Sequence, residues 1–98
     1  MYRIEYSPEA EEHLRALTAA QRATVLNGVE RHLTDRPLVA TTNRKPMRPN
    51  PVAPWELRLG TLRVYFDAEN EPVQVVRIRA VGIKRGNRVI IGGRTVEL

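Results

Sequence analysis

The first part of the chain shows a strand pattern followed by helical patterns. Tyr2, Ile4 and Tyr6 alternate with charged residues, which predicts a short, half-buried strand. Ser7 and Pro8 then predict the start of a helix, because serine is a favoured N-cap and proline suits the first helical position. Apolar residues at helical spacing follow, and we expect them to face the core: Ala10, Leu14 and Leu17, then Val25, Leu26, Val29 and Leu33.

Thr18 and Gln21 have the spacing of a capping box, which predicts that a second helix begins where the first one ends. This helix should stop before Pro37, because the residue that precedes a proline is disfavoured in helical geometry. The two helices are therefore expected to form a hairpin with almost no linker. Residues 36–54 contain five prolines, a density that excludes a long helix or a central strand and predicts an ordered connector.

The period changes to two in the second half of the chain. Alternation predicts strands at residues 55–59, 62–67 and 73–81, and a final hairpin at residues 88–98 with a Gly92-Gly93 turn. This order of elements predicts an α+β fold, in which the N-terminal strand and the helical hairpin pack on one face of a small antiparallel sheet. A chain of 98 residues is expected to form a single domain spanning residues 1–98.

Strand alternation also predicts where the basic residues of the sheet lie. If the aliphatic faces point at the helices, one tyrosine and four arginines project from an uncovered face: Arg58, Arg63, Tyr65, Arg77 and Arg79. Arginine binds phosphate through paired hydrogen bonds, and both residue types stack on bases, so this face predicts RNA binding. The alternative is that carboxylates neutralise the arginines, either from this chain, such as Glu56, or from an acidic partner protein.

The charge distribution favours an anionic partner. Residues 1–43 carry five basic and six acidic side chains, whereas residues 44–98 carry eleven basic and five acidic ones. The whole excess of the net charge of +5 therefore lies in the second half, which is typical of nucleic-acid binding. Arg44 and Lys45 in the connector are included among the predicted RNA contacts.

Several classes of site are excluded by what the chain lacks. It has no cysteine, so it contains neither disulfides nor thiolate metal sites. His13 and His32 have no third ligand at a suitable spacing, and no Ser/His/Asp set can be assembled, so we expect no metal, no cofactor and no ordinary hydrolase site. There is no apolar targeting or membrane-spanning segment, which predicts a cytoplasmic protein without a membrane partner.

The order and separation of several motifs resemble the RelE/ParE superfamily of type II toxin–antitoxin toxins over nearly the whole chain. The motifs are YRIEYSPEAEEHLRAL, RHLTDRP, RKPM, WELRLGTLRVYFD and VQVVRIRAVGIKR, and the closing KRGNRVIIGGRTVEL is similar to the tail of a RelE-like branch. The resemblance implies a RelE-like fold and a toxin that is held inactive by a cognate acidic antitoxin. In the RelE branch it implies translation inhibition by metal-independent mRNA cleavage in the ribosomal A site.

The resemblance also implies roles for particular residues. In RelE-type cleavage the RNA 2′-OH attacks the adjacent phosphate, basic side chains stabilise the developing charge, and a tyrosine or lysine helps to move protons. Arg58 and Arg63 match basic residues on either side of the strand turn, and Lys84 or Arg85 matches a basic residue after the long strand. We expect Arg63 to stabilise the transition state and Lys84 to transfer a proton.

Two departures from the RelE pattern keep other functions open. Glu56 occupies a strand position that is basic in active RelE-type nucleases, and residues 82–98 contain no tyrosine. Whether the chain is an enzyme is therefore left open at this point. The alternatives are a ParE-like inhibitor of DNA gyrase and a catalytically degenerate toxin that only binds its antitoxin.

Overall fold

The computed structural model describes all 98 residues. Seven strands and two helices follow one another along the chain: β1 (Arg3–Tyr6), α1 (Pro8–Arg15), α2 (Ala19–Leu33), β2 (Arg44–Pro46), β3 (Trp55–Leu59), β4 (Leu62–Glu69), β5 (Val75–Arg85), β6 (Arg88–Ile91) and β7 (Arg94–Val96). The predicted α+β class and the predicted helical hairpin are confirmed. None of the helices is both long and apolar enough to cross a membrane.

Local capping interactions define where both helices begin. The Ser7 hydroxyl accepts a hydrogen bond from the Ala10 backbone N–H at 3.0 Å, at the start of α1. Thr18 and Gln21 form the predicted capping box at the start of α2, with each side chain accepting from the other residue's backbone N–H. These bonds satisfy N–H groups that have no partner within the helix. The end of α1 is capped from a distance, because the Arg22 guanidinium donates to the carbonyls of Leu14 and Leu17.

The sheet is antiparallel except at its N-terminal strand. The strands from β2 to β7 lie in the order of the sequence, and each pairs antiparallel with the next. β1 pairs parallel with the first residues of β5, from Arg3 opposite Val75 to Tyr6 opposite Ile78. Parallel strands need a crossover connection. The helices α1 and α2 form part of the connection that leads from β1 to the other strands of the sheet.

The main core lies between the helices and one face of the sheet. Val25, Val29 and Leu33 of α2 are buried against strand residues such as Leu57 and Phe66. Because these three helical residues follow an i, i+4, i+8 spacing, they form one stripe. The prediction that Leu26 belongs to this stripe is wrong: Leu26 lies beside the stripe, and its side chain is exposed.

A β-bulge in β5 changes which residues face the helices. Tyr65 lies opposite Ala80 and Phe66 lies opposite Ile78, so that Arg79 has no residue opposite it. Such an extra residue shifts the alternation of the strand by one position. Ile78 and Val81 consequently both belong to the main core, whereas Ala80 belongs to the opposite face. Uninterrupted alternation from Ile78 would place Ala80 on the helix-facing side, and the bulge moves it to the opposite face.

The second face of the sheet is covered, contrary to the sequence-based expectation. A smaller apolar cluster is buried there, with contributions from the connector, the central strands and the C-terminal hairpin: Met47, Val52, Ala53, Tyr65, Ala80, Val89, Ile91 and Val96. The connector and the hairpin thus lie over part of this face. Only the part beyond this cover remains open to a partner.

Candidate nucleic-acid interface

The pairing of the strands places several predicted site residues side by side on the second face. Lys45 on β2 and Tyr65 on β4 both lie opposite Glu56 of β3. One step along, Arg58 lies directly opposite Arg63. Residues directly opposite each other in an antiparallel pair have Cβ atoms about 4.5–5.5 Å apart. The structure therefore brings three of the predicted basic residues around Glu56.

Glu56 is the ionic centre of this cluster. Arg58 Nε donates a hydrogen bond to Glu56 Oε1 at 3.1 Å, and Lys45 Nζ lies 3.8 Å from the same oxygen. The Glu56 side chain is only 7% exposed, whereas those of Lys45 and Arg58 are 49% and 42% exposed. The carboxylate thus lies beneath two cations that reach solvent. The structure therefore shows the alternative interpretation for Arg58: a carboxylate of the same chain neutralises its charge.

Tyr65 is not available as a stacking surface for RNA bases. Its side chain is fully buried in the second apolar cluster. Burial raises the pKa of its hydroxyl strongly, and the neighbouring Glu56 carboxylate raises that pKa further. The hydroxyl is buried and makes no hydrogen bond to another group of the chain. The predicted exposure of Tyr65 is wrong because the connector and the C-terminal hairpin cover it.

Arg63 is also buried, with only 8% of its surface exposed. Its Nη1 donates hydrogen bonds to the Gly60 carbonyl at 2.6 Å and the Leu62 carbonyl at 3.0 Å. Gly60 has a φ of 63°, a left-handed conformation in which glycine carries no steric penalty. Arg63 therefore stabilises the turn between β3 and β4. The prediction that its side chain projects from the sheet is wrong.

Arg77 and Arg79 lie away from this cluster and are paired with carboxylates of the chain. Arg79 donates from both Nε and Nη2 to Asp67 Oδ2, at 3.1 and 2.8 Å. Arg77 donates to Glu69 and lies 3.6 Å from a Glu5 oxygen. The hydrogen bond to Glu69 is the main reason why the pKa of Arg77 is raised. The expectation of a bare row of unpaired arginines is wrong, because these carboxylates come from strands that lie next to β5.

Arg44 performs a structural task that its position in the connector did not indicate. It is buried, and its Nη1 donates to the His32 carbonyl and, at 3.5 Å, to the Asp35 carbonyl. These carbonyls lie at and just beyond the end of α2, where backbone acceptors lack helical partners. Arg44 thus caps α2, and its assignment as an RNA contact is not compatible with its burial.

Among the basic side chains of strands β3 to β6, the exposed ones without a carboxylate partner lie at the end of β5 and the start of β6. Lys84 and Arg85 at the end of β5 are exposed and form no salt bridge, and Arg88 lies directly opposite Arg85. Lys84 follows Gly82 by two residues, and Gly82 lies opposite Arg63, so Lys84 shares the second face. Sequence reasoning missed Arg88. The signal was present in the Arg85-Gly86-Asn87-Arg88 turn, whose two ends carry like charges.

No arrangement of three His, Cys, Asp or Glu side chains in the structure has the form of a metal site. The cluster around Glu56 and the Lys84 side chain both lie on the second face, where Lys84 is an exposed cation without a salt bridge. Arg85, one position further along β5, is exposed towards the other face.

Comparison with known proteins supports the fold. No family model matches the sequence, and a search of curated proteins finds no relative. Among solved structures, a chain in the RelBE2 toxin–antitoxin complex from Mycobacterium tuberculosis is similar, with a TM-score of 0.72 and 24% identity. The alignment covers 85% of this chain and 98% of that chain. The RelE-like fold predicted from the sequence motifs is therefore confirmed.

Proposed function

We propose that this chain is the RelE-like toxin of a type II toxin–antitoxin system and that it inhibits translation by cutting mRNA in the ribosomal A site. The observation that carries the proposal is the near-complete structural match to a chain of a toxin–antitoxin complex. The exposed cations Lys84 and Arg85 add support, because they end the long strand β5, at the position where the resemblance places a basic residue of RelE-like toxins. They give this fold a surface suited to phosphate.

Chemically, the proposal assigns different tasks to the basic residues. Attack of a ribose 2′-OH on the adjacent phosphorus forms a cyclic phosphate and breaks the bond to the 5′-oxygen of the next nucleotide. The attacking 2′-OH loses its proton to solvent water, and the leaving 5′-oxygen must take up a proton. The Lys84 ammonium is the proposed donor of that proton, and Arg58 and Arg85 stabilise the charge on the phosphate oxygens. Arg63, which is tied to two carbonyls, has a positioning role because it fixes the turn that follows Arg58.

The proposed partner is an acidic antitoxin segment, in keeping with the similar chain being part of a toxin–antitoxin complex. Such a segment would be attracted to the same unpaired cations as RNA. Arg85 and Arg88, directly opposite each other, offer two adjacent charges to its carboxylates. Competition for these residues would couple antitoxin binding to loss of RNA binding.

Growth arrest on induced expression without antitoxin tests the proposal. Wild-type protein should arrest growth and generate new mRNA 5′ ends within codons, and a Lys84→Ala/Arg85→Ala variant should relieve both effects. The matched control is Arg15→Ala/Arg31→Ala, which removes the same charge from exposed helical positions. Arrest without new mRNA ends would exclude cleavage, and equal arrest by the Lys84/Arg85 variant would exclude these residues from the mechanism.

A second candidate is non-enzymatic inhibition of DNA gyrase. One arrangement favours it: Glu56 neutralises Arg58, and the Tyr65 hydroxyl is buried, so fewer groups near the cations can take part in cleavage. This function predicts loss of gyrase supercoiling activity in vitro and intact mRNA in arrested cells. A degenerate toxin that only binds antitoxin would give no growth defect in the same experiment.

A further inference from the structure

A single buried carboxylate holds two of the cations that the proposed function would direct at RNA. Lys45 Nζ and Arg58 Nε approach the same oxygen of Glu56, at 3.8 and 3.1 Å. The two cationic side chains are about half exposed, but the carboxylate beneath them is almost completely buried. A phosphate that arrives from solvent therefore meets two cations, and one unit of their combined charge is already balanced by the carboxylate beneath them.

Glu56 has little freedom to move away from this position. β3 is flanked on both sides, with Lys45 of β2 and Tyr65 of β4 directly opposite Glu56. Tyr65 is fully buried, so the apolar cluster lies on one side of the carboxylate. A charged group in such surroundings loses hydration, and only the neighbouring cations offset this cost.

The other ion pairs of the chain differ in this respect. Asp67, which pairs with Arg79, is 30% exposed, and Glu69, which pairs with Arg77, is 47% exposed. These carboxylates can rotate into solvent when an anion approaches, and surface pairs of this kind contribute little energy. Glu56, by contrast, would lose both of its cations and remain buried.

We propose that Glu56 is a built-in competitor for the RNA phosphate at Lys45 and Arg58. By occupying the anion position permanently, it weakens the binding of single-stranded RNA to this face. Only RNA held there by further contacts, such as those to Lys84 and Arg85, displaces it. The inference rests on the proposed function, which identifies RNA as the ligand. It adds that Glu56 sets the affinity of the protein for that RNA.

Binding of a single-stranded RNA tests this directly. The probe is a fluorescein-labelled 12-nucleotide RNA with 2′-O-methyl groups, which cannot be cleaved, and its anisotropy is measured over a range of salt concentrations. Glu56→Gln keeps the size of the side chain and removes its charge, and should bind the probe roughly tenfold more tightly at low salt. Because Glu56 balances one of the two positive charges, its removal should also steepen the slope of log affinity against log salt by about 0.7.

The matched control is Glu12→Gln, which removes the same charge from an exposed carboxylate that lies 3.8 Å from Arg15. It should change the affinity less than twofold. In the Lys45→Gln/Glu56→Gln variant, the loss of one cation offsets the loss of the carboxylate, so the salt slope should return to about the wild-type value. Circular dichroism and thermal unfolding of each variant verify that the fold is retained.

A further variant tests the proposal if Glu56→Gln does not fold. Lys45→Met in the otherwise wild-type chain removes a cation that Glu56 already neutralises in part, and should weaken probe binding by only about twofold. Lys84→Met removes an unpaired cation and should weaken binding severalfold. An equal loss in these two variants would overturn the inference.

The remaining outcomes are also decisive. A folded Glu56→Gln variant with wild-type affinity and slope, or an equal gain in Glu12→Gln, would contradict the role of Glu56. A gain in binding to a polyglutamate peptide without a gain in RNA binding would mean that the site accepts acidic protein and not RNA. Tighter RNA binding by Glu56→Gln without growth arrest by any variant would sustain the inference and refute the proposed toxin activity.

Discussion

The backbone N–H of Val81 donates a hydrogen bond to Nδ1 of His13 at 3.2 Å, and this bond joins α1 to β5 just after the bulge. Nδ1 can accept only while it carries no proton, so the neutral imidazole must hold its proton on Nε2. Burial lowers the pKa of His13, and Glu9 and Glu12 oppose this shift. The structure therefore favours the neutral form of this side chain.

Stability should consequently fall in mild acid through His13. Because its folded-state pKa is lowered, the unfolded chain binds more protons below pH about 6.5, and the free energy of unfolding decreases as the pH drops through that value. Urea unfolding at pH 7.5 and pH 5.5 measures this change. A His13→Phe variant should lose less stability between these pH values than the wild type. The pKa of His32 is lowered as well, so part of the decrease should persist in the variant.

Two glycines provide a matched test of packing. A Cβ at Gly82 would lie 2.7 Å from the Ile90 carbonyl oxygen and within 2.9 Å of two β6 side chains, so Gly82→Ala should cost about 1–3 kcal/mol. A Cβ at Gly28 would meet only the end of the Leu59 side chain, which can move, and helix propensity favours alanine by about 1 kcal/mol. Gly28→Ala should be nearly neutral. Denaturant unfolding of both variants gives the comparison, and a similar cost at the two sites would contradict it.

The buried Tyr65 hydroxyl gives a prediction that separates the hydroxyl from its ring. No group of the chain lies in hydrogen-bonding geometry with the hydroxyl, but the Glu56 carboxylate is close enough to raise its pKa, so Tyr65→Phe should change stability by less than about 1 kcal/mol in either direction. Tyr65→Ala removes the ring as well and should cost about 3–5 kcal/mol. Toxicity or RNA binding should not change in the phenylalanine variant. A loss of either at full stability would show that the hydroxyl is used after the covering hairpin opens.

Substitutions of Arg44 and Arg48 compare a buried, structural arginine with an exposed arginine of the same segment. Arg44→Ala removes a buried cation that donates to carbonyls at the end of α2, and should lower the free energy of unfolding by about 1.5–3 kcal/mol. Arg48→Ala changes an exposed side chain without a salt bridge, and should have an effect below about 0.5 kcal/mol. Thermal or urea unfolding distinguishes the two, and equal effects would refute the capping role of Arg44.

Arg88 is predicted to lower the stability of the fold and to strengthen RNA binding. It lies directly opposite Arg85, and like charges in that arrangement are destabilising. Arg88→Glu should create a cross-strand ion pair and stabilise the fold by about 0.2–1 kcal/mol. The same variant should bind RNA more weakly, because it neutralises Arg85. A more stable variant with unchanged RNA affinity would place the hairpin turn outside the binding surface.

Features that depend on neighbouring residues were determined by the sequence itself. The Thr18–Gln21 capping box and the alternation of residues 55–59 involve contacts within a few positions, so the spacing of residue types was sufficient to predict them. The motif order also predicted the RelE-like fold correctly. Lys84 and Arg85, to which the resemblance assigned catalytic roles, are exposed, and those roles stay a prediction.

Only the tertiary structure decided which charges remain available. The bulge at Arg79 reverses the alternation of β5, and it arises from pairing with β4 rather than from the strand's own residues. Tyr65 is buried by segments that come from both sides of it in the chain, and Arg79 meets Asp67 twelve positions away. Burial and ion pairing depend on which distant segments meet, and a periodic pattern along one strand carries no information about the segments that cover it.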